Sequence, residues 1–411
     1  MPSSPASETK ERYVTLCHQK STEPHDYIVK TLTKAATDYL LNASPDLKLD
    51  FAGNNKLMTE KRLSDQDVDL LVTILSRSVS LTSLDLRYNN LTDKAALSIA
   101  RLIKDSPSLK ELNVMCNDFT ESGAELISEA LHTSKTLRSL KMNGNKIGNR
   151  GGMYFAQALQ INSKLRELDL GDCDLGTECV IAFATVLNQN NNLRAINLNR
   201  PILFSLQEET VVHIGLMLKV NNALRELHLS KFDMKDFGVE RLCEGLVDNY
   251  TLVYLNLSCN RITRDGAAVI ARLLRRNTPL EILDLGFNRI ENDGAMHISA
   301  ALASTNSCLK ALVLLSNCIG GKGIASIATS MKQNSSLSNL YVWGNDLDET
   351  ACDSLSEIIN SNRLNQKNTD VKPYVVDNRT YLAEMSHGIR RFYYWTPSYG
   401  PDVVGMDGDE M

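Results

Sequence analysis

The chain has 411 residues, 43% of them hydrophobic and 23% charged, which excludes a disordered chain because such chains carry far fewer apolar side chains. Its formal net charge is −5, so no overall positive field favours nucleic acid as the primary partner. No stretch approaches the roughly 20 apolar residues that span a membrane, and residues 1–12 lack the apolar core of a secretory signal, so we expect neither membrane association nor secretion.

The N-terminal part is predicted in two pieces. Residues 1–25 are rich in polar side chains and are predicted to be flexible. Residues 26–80 are predicted to form an N-terminal cap: a helix over residues 26–42, an incomplete first repeat around Leu49, Phe51 and Asn54, and a helix near residues 65–77. A cap is expected because a terminal repeat has a neighbour on one side only.

Ten repeats are predicted between residues 81 and 364. A leucine recurs every 28 residues, with one step of 31 and one of 29, at Leu81, Leu109, Leu137, Leu165, Leu193, Leu224, Leu252, Leu280, Leu309 and Leu337. Apolar residues follow three and five positions later, as in Leu252, Leu255 and Leu257. The alternation at the end of this LxxLxL pattern predicts a short strand in each repeat.

Position nine of the repeat is asparagine in seven cases: Asn89, Asn117, Asn145, Asn260, Asn288, Asn317 and Asn345. Cys173, Pro201 and Phe232 take that position in three others. An amide can satisfy backbone groups that turn away from a strand, so we interpret these asparagines as structural rather than catalytic.

A helix is predicted in the second half of each repeat. Position fifteen is glycine in six repeats, and apolar residues follow at helical spacing, as in Ala267, Ile270, Ala271 and Leu274. Ser122, Asp236 and Asp265 precede such glycines and are predicted N-caps. Each unit is therefore predicted to run strand, turn, helix.

Strands stack about 4.8 Å apart, whereas packed helices need about 8–10 Å, so a one-to-one array must curve with the strands inside. The predicted fold is an α/β leucine-rich repeat solenoid, a horseshoe with parallel inner strands and outer helices. Over residues 47–359 the pattern resembles the ribonuclease-inhibitor-like class of leucine-rich repeat proteins, whose repeats carry a full helix. The resemblance implies a protein that binds other proteins, through the concave face.

The third, fifth, seventh and eighth positions of each repeat are predicted to line the concave face. In the first half these positions are biased towards acids, and we predict that they bind a basic protein surface through Asp85, Glu111, Glu167, Asp169 and Glu226. In the second half they carry large apolar groups, and the predicted partner-binding residues are Tyr254, Phe287, Val313, Leu315, Tyr341 and Trp343. An apolar patch of several hundred Å² is expected to be covered.

Residues 365–411 are predicted to form an aromatic C-terminal tail, with Phe392, Tyr394 and Trp395 as further candidate binding residues. Two interpretations stay open: the tail folds back over the last strands, or it inserts into a partner. Three extra residues near residues 200–205 are apolar, and they either repack the loop or form a recognition loop on the rim.

No sequence pattern of an enzyme is found: GxxxxGK[ST], HExxH and GxSxG are all missing, and the nine cysteines contain no Cys-x-x-Cys pair. We predict no catalysis, no cofactor and no metal. The expected function is that of a scaffold or adaptor in the cytoplasm or nucleus, with the nucleolus and the ciliary axoneme included. The alternative is a regulator of an enzyme, such as a GTPase-activating or inhibitor-type repeat protein. The partner's identity and the oligomeric state do not follow from the sequence.

Overall fold

A computed structural model describes residues 4–42, 46–55, 57–58, 61–203, 208–304 and 306–385. The chain divides into two compact units, Met1–Leu193 and Arg194–Met411, and each is described by itself.

The first unit holds a cap and the first four full repeats. Its strands β1 to β5 are parallel and pair in chain order. In chain order its elements are α1 (Pro5–Gln19), α2 (Asp26–Asn42), β1 (Leu47–Asp50), α3 (Asp65–Leu75), β2 (Leu81–Asp85), α4 (Asp93–Asp105), β3 (Glu111–Asn113), α5 (Glu121–Thr133), β4 (Ser139–Lys141), α6 (Gly148–Ile161), β5 (Glu167–Asp169) and α7 (Thr177–Leu187). The predicted order of strand, turn and helix is confirmed here, and the incomplete first repeat supplies β1.

The flexible N terminus predicted for residues 1–25 is corrected by helix α1. Ser4 caps this helix by accepting a hydrogen bond from Ser7 N, and Pro5 stands in its first turn, where a missing N–H costs nothing. Ala6, Thr9, Tyr13 and Cys17 form a buried stripe, and the Tyr13 hydroxyl accepts from His25 N at 3.0 Å. The stripe mixes apolar and polar residue types, which hid the helical period in a polar sequence.

The second unit repeats the same plan with six parallel strands, β6 to β11, also paired in chain order. Its elements are β6 (Ala195–Asn197), α8 (Glu209–Val220), β7 (Glu226–His228), α9 (Asp236–Leu246), β8 (Tyr254–Asn256), α10 (Arg264–Arg275), β9 (Ile282–Asp284), α11 (Glu291–Ser304), β10 (Ala311–Val313), α12 (Gly321–Gln333), β11 (Asn339–Tyr341) and α13 (Glu349–Asn360). An antiparallel hairpin follows, formed by β12 (Val371–Val376) and β13 (Arg379–Glu384), and it packs against α13. The hairpin was not predicted.

The framework leucines and the apolar helix residues form the core of each unit. Leu252, Leu255 and Leu257 are at most 2% exposed, and the stripe of α10 is equally buried. Burying one such side chain contributes roughly 1.5–3 kcal/mol, and every repeat supplies several. Because alternate strand residues point to opposite faces, the remaining strand side chains point away from this core.

The asparagines at position nine link neighbouring repeats. The Asn288 amide donates to Leu257 O at 3.0 Å and to Leu285 O at 2.9 Å, while its oxygen accepts from Ile262 N at 3.1 Å. Asn89 makes the same set of bonds in the first unit. Where Cys173 replaces the amide, its thiol donates to Met142 O at 3.2 Å. The structural role predicted for this position is confirmed.

The predicted N-caps are corrected by one or two residues. Thr120, Lys235 and Thr263 occupy the N-cap positions, so Ser122, Asp236 and Asp265 lie in the first helical turn instead. An acid is favourable there because it faces the positive end of the helix dipole. Asp236 also accepts from the backbone N–H of Thr263 at 2.8 Å and from its hydroxyl at 2.6 Å. The acid therefore joins the start of one helix to the start of the next.

Candidate functional site

The candidate site is the face of the strands that points away from the core, which we call the strand face. It consists of the third and fifth residues of each repeat, joined by the seventh and eighth residues at its rim. Strand pairing aligns these residues in rows across each unit, with Asp85, Asn113, Lys141 and Asp169 in the first and His228, Asn256, Asp284, Val313 and Tyr341 in the second. The structure therefore brings the sequence-predicted residues of each unit together.

The strand face of the first unit is charged and partly open to solvent. Glu111 is exposed and Asp85, Lys141 and Glu167 are half-buried, whereas Asp169 is buried. Asp85 lies 3.4 Å from Arg87 Nε and accepts a hydrogen bond from Asn113 at 3.1 Å. These contacts hold the carboxylate in place on β2.

Burial weakens the charges on this face. Desolvation raises the pKa of Asp85 against the opposing pull of Arg87, and it raises the pKa of Glu167 as well. Desolvation also lowers the pKa of Lys141, although Asp169 and Glu167 oppose that shift. Both signs of charge are therefore less favourable here than in water, and a further cation near the carboxylates would lower their pKa values again.

The strand face of the second unit carries a buried pair of ionisable side chains on β7. His228 Nε2 lies 3.8 Å from Glu226 Oε2, and the His228 ring packs edge-on against Tyr254 with 4.8 Å between centroids. Burial lowers the pKa of His228 to about 4, because a separation longer than a hydrogen bond leaves desolvation dominant over the carboxylate. Burial raises the pKa of Asp284, two strands further on, to about 6, and the hydrogen bond from Gly286 N opposes that shift.

Val313, Leu315 and Tyr341 form a buried cluster of their own, with Trp343 packed against it. We call these four residues the apolar cluster. Val313 is 1% exposed and Tyr341 is 4% exposed, so the large apolar side chains predicted for this face are shielded. They stand at face positions of the strands rather than at the framework positions, which leucines occupy.

Phe287 differs from the apolar cluster, since half of its surface is exposed. Its backbone has φ of 59°, in the left-handed region that a bulky side chain rarely adopts. Tyr88 and Cys259 take the same conformation at the eighth position of their repeats, so the turn there requires it.

Three predicted site residues, Phe392, Tyr394 and Trp395, lie outside the described residues, and so does Phe204 of the insertion. Within the described part of the insertion, Ile202 is exposed and Pro201 is half-buried.

Sequence reasoning missed the polar residues of the second strand face, namely Asn199, His228, Asn256 and Asp284. All four are buried. The signal was present, because these residues occupy the fifth and seventh positions of the same LxxLxL pattern.

Within the described ranges, no three His, Cys, Asp or Glu side chains are grouped so that they could hold a metal ion. In the same ranges, no helix combines the length and the apolar character needed to cross a membrane.

A family model described as "Leucine Rich repeat" matches residues 77–100, 105–128, 133–156, 162–184, 248–271, 276–299 and 305–328. The interval from 185 to 247 contains the fifth repeat and most of the sixth, in which Pro201 and Phe232 replace the asparagine.

The human protein called leucine-rich repeat-containing protein 34 is 53% identical over 397 residues, which cover 97% of this chain and 86% of that protein. The rat protein of the same name is 51% identical over 208 residues, 51% of this chain and 50% of that relative, so this match spans about half of its length. A solved internalin from Listeria monocytogenes is 17% identical with a TM-score of 0.41, over 84% of this chain and 93% of that structure.

Proposed function

The chain belongs to the leucine-rich repeat-containing protein 34 family, and from this membership we propose that it is a non-catalytic scaffold that binds a protein through its strand face. The leucine-rich repeat resemblance seen in the sequence is confirmed by the same matches. Proteins of this repeat type bury their framework and vary the side chains of the face.

The observation that carries the proposal is the charged strand face of the first unit. Six acids stand at its positions, against three cations, Lys48, Arg87 and Lys141; the acids are Asp50, Asp85, Glu111, Glu167, Asp169 and Asp172. Because desolvation already raises the pKa values of Asp85 and Glu167, a cationic side chain from outside would relieve an unfavourable state. A protein with clustered lysine or arginine side chains is therefore the partner that this face fits best.

We place the scaffold in the cytoplasm or the nucleus, with the nucleolus and the ciliary axoneme as the sites to examine first. The buried Cys173 thiol supports a reducing compartment, because it serves as a hydrogen-bond donor in the framework. Imaging of the tagged chain in its own cell type tests the location.

A photo-crosslinking amino acid placed at Asn113, on the strand face, tests the binding surface. The matched control carries the same amino acid at Glu129, an exposed position on α5. We expect a protein with a basic surface to be captured from Asn113 and not from Glu129. Glu111→Lys combined with Glu167→Lys should abolish that capture.

Equal capture at Asn113 and Glu129, or capture that survives both charge reversals, contradicts the proposal. A captured GTPase whose hydrolysis rate rises when the chain is added would favour the enzyme-regulating alternative instead.

A further inference from the structure

The strand face of the second unit is buried to an extent that the first is not. Asn256 is fully buried, and Asp284 and Val313 on the next two strands are at most 4% exposed. These side chains point away from the core between strands and helices. Exposures this low are typical of a face against which something packs.

Polar atoms on this face lack partners. Asn199 Nδ2, His228 Nδ1 and Asn256 Nδ2 are buried, and among the described residues none of them has a hydrogen-bond partner. A buried polar atom without a partner costs stability, so native proteins satisfy nearly all of them. An extended peptide carries carbonyl and N–H groups at regular intervals, and two amide donors together with an imidazole nitrogen match that pattern.

The described chain leads to the edge of this face. The backbone N–H of Met385 donates to Asp370 O at 2.7 Å. The Asp370 carboxylate in turn accepts from Val342 N and Trp343 N, both at 2.9 Å. Residue 386 therefore follows directly from a segment bonded beside the apolar cluster.

Residues 386–411, which we call the aromatic segment, have the length and chemistry to occupy the face. Extended, its 26 residues span up to roughly 85 Å, whereas the five steps from β11 to β6 cover about 24 Å. Phe392, Tyr394 and Trp395 offer aromatic surface to the apolar cluster.

The charges at the start of the aromatic segment are complementary to this face as well. No lysine or arginine stands at the third or fifth position of strands β6 to β11, whereas two acids, Glu226 and Asp284, do. Arg390 and Arg391 are the only lysine or arginine residues of the aromatic segment, and its four acids all lie at residue 402 or beyond. An arginine beside Asp284 would supply the cation that this buried carboxylate lacks on its own face.

We propose that the aromatic segment lies in extended form across the strand face of the second unit of the same chain, as an intramolecular ligand. The inference shares with the proposed function the premise that the strand face binds peptide or protein. The second unit is then closed by the chain itself, while the first stays open for a partner.

The two tryptophans of the chain make the test direct, because Trp343 lies in the apolar cluster and Trp395 in the aromatic segment. The Trp343→Phe protein reports on Trp395 alone. We expect its emission to be blue-shifted and its quenching by acrylamide to be several-fold weaker than in a free 386–411 peptide. Both values should stay the same when the protein is diluted.

The pairing of an arginine with Asp284 is tested by Arg390→Glu combined with Arg391→Glu in the Trp343→Phe protein. Quenching of Trp395 should rise towards the value of the free peptide. The matched control, Lys372→Glu with Arg379→Glu, makes the same charge change on the exposed hairpin and should leave quenching unaltered.

Trp395 that is quenched like the free peptide overturns the inference. Protection that disappears on dilution also overturns it, because it would show that the segment occupies a second copy. Crosslinking from Asn113 does not involve the aromatic segment, so failure of the proposed function would be seen separately.

Discussion

The strand faces of the two units share one framework and differ in how far their side chains reach solvent. In the first unit Glu111 is exposed and Asp85 and Lys141 are half-buried, whereas His228, Asn256 and Asp284 in the second unit are buried. The leucines and asparagines behind both faces make the same contacts. The framework therefore sets where face residues stand, and the two faces differ in which side chains occupy those positions and in how far these are buried.

The sharpest test of this difference exchanges one residue between the faces. Val313→Asp gives the second unit the residue that the first carries as Asp85, and it places a carboxylate beside the register partner Asp284. We expect a loss of about 3–5 kcal/mol in the free energy of unfolding, measured by urea denaturation, because burying a second carboxylate next to Asp284 adds like-charge repulsion to the cost of desolvation.

The reciprocal change, Asp85→Val, should alter stability by less than about 1 kcal/mol, because it removes a carboxylate whose pKa burial has raised. Equal losses from the two variants would contradict the distinction between a closed face and an open one.

The repeat framework was predictable from sequence because its periods are local. The spacing of Leu252, Leu255 and Leu257 reports a contact that recurs in every repeat, and the amide of Asn288 reports one that recurs in the repeats with asparagine at position nine. Helix α2 was predicted with the bounds that the structure shows. Helix α1 was not, because its buried stripe uses Thr9, Tyr13 and Cys17.

The closure of the second strand face could not be predicted. The repeat pattern places Asn256 and Val313 on the outward face of their strands, but the period of two does not say how far an outward residue is buried. The hairpin of β12 and β13 did have a signal, since Asp377 and Asn378 adopt positive φ in its two-residue turn and such residues favour that turn.

Lowering the pH should reduce the free energy of unfolding through His228, on the strand face of the second unit. Its pKa of about 4 in the folded chain lies below the value of about 6.5 of an unfolded histidine, so the unfolded state binds more protons between these values. The stability that the neutral imidazole provides is complete above pH 6.5 and is lost as the pH falls to 4. The loss is about 3 kcal/mol.

His228→Gln should remove this contribution, so the difference in unfolding free energy between variant and parent should change by that amount from pH 7 to pH 4. His132→Gln, on the exposed side of α5, is the control and should show no such change. A His228→Gln curve parallel to that of the parent would show that the imidazole is solvated.

The two units share the repeat framework. Equivalent framework substitutions in each unit should therefore lower the free energy of unfolding equally, whereas substitutions in the two strand faces should not. Asn145→Ala in the first unit and Asn288→Ala in the second each leave buried backbone groups without the amide that satisfies them. Each should lose about 2 kcal/mol in urea denaturation. Losses that differ by more than about 1 kcal/mol would mean that the framework is not equivalent in the two units.

The smallest effect is expected at Phe287, an exposed aromatic side chain at the rim of the second strand face. Its φ of 59° is costly for a bulky residue and costs glycine nothing, while glycine adds entropy to the unfolded state. Phe287→Gly should therefore raise the unfolding free energy, by about 0.5 kcal/mol. A loss above about 1 kcal/mol would show that Phe287 packs as a core residue does. A gain would mean that the chain retains a strained, exposed aromatic residue that stability does not require, which is expected of a residue that contacts a partner.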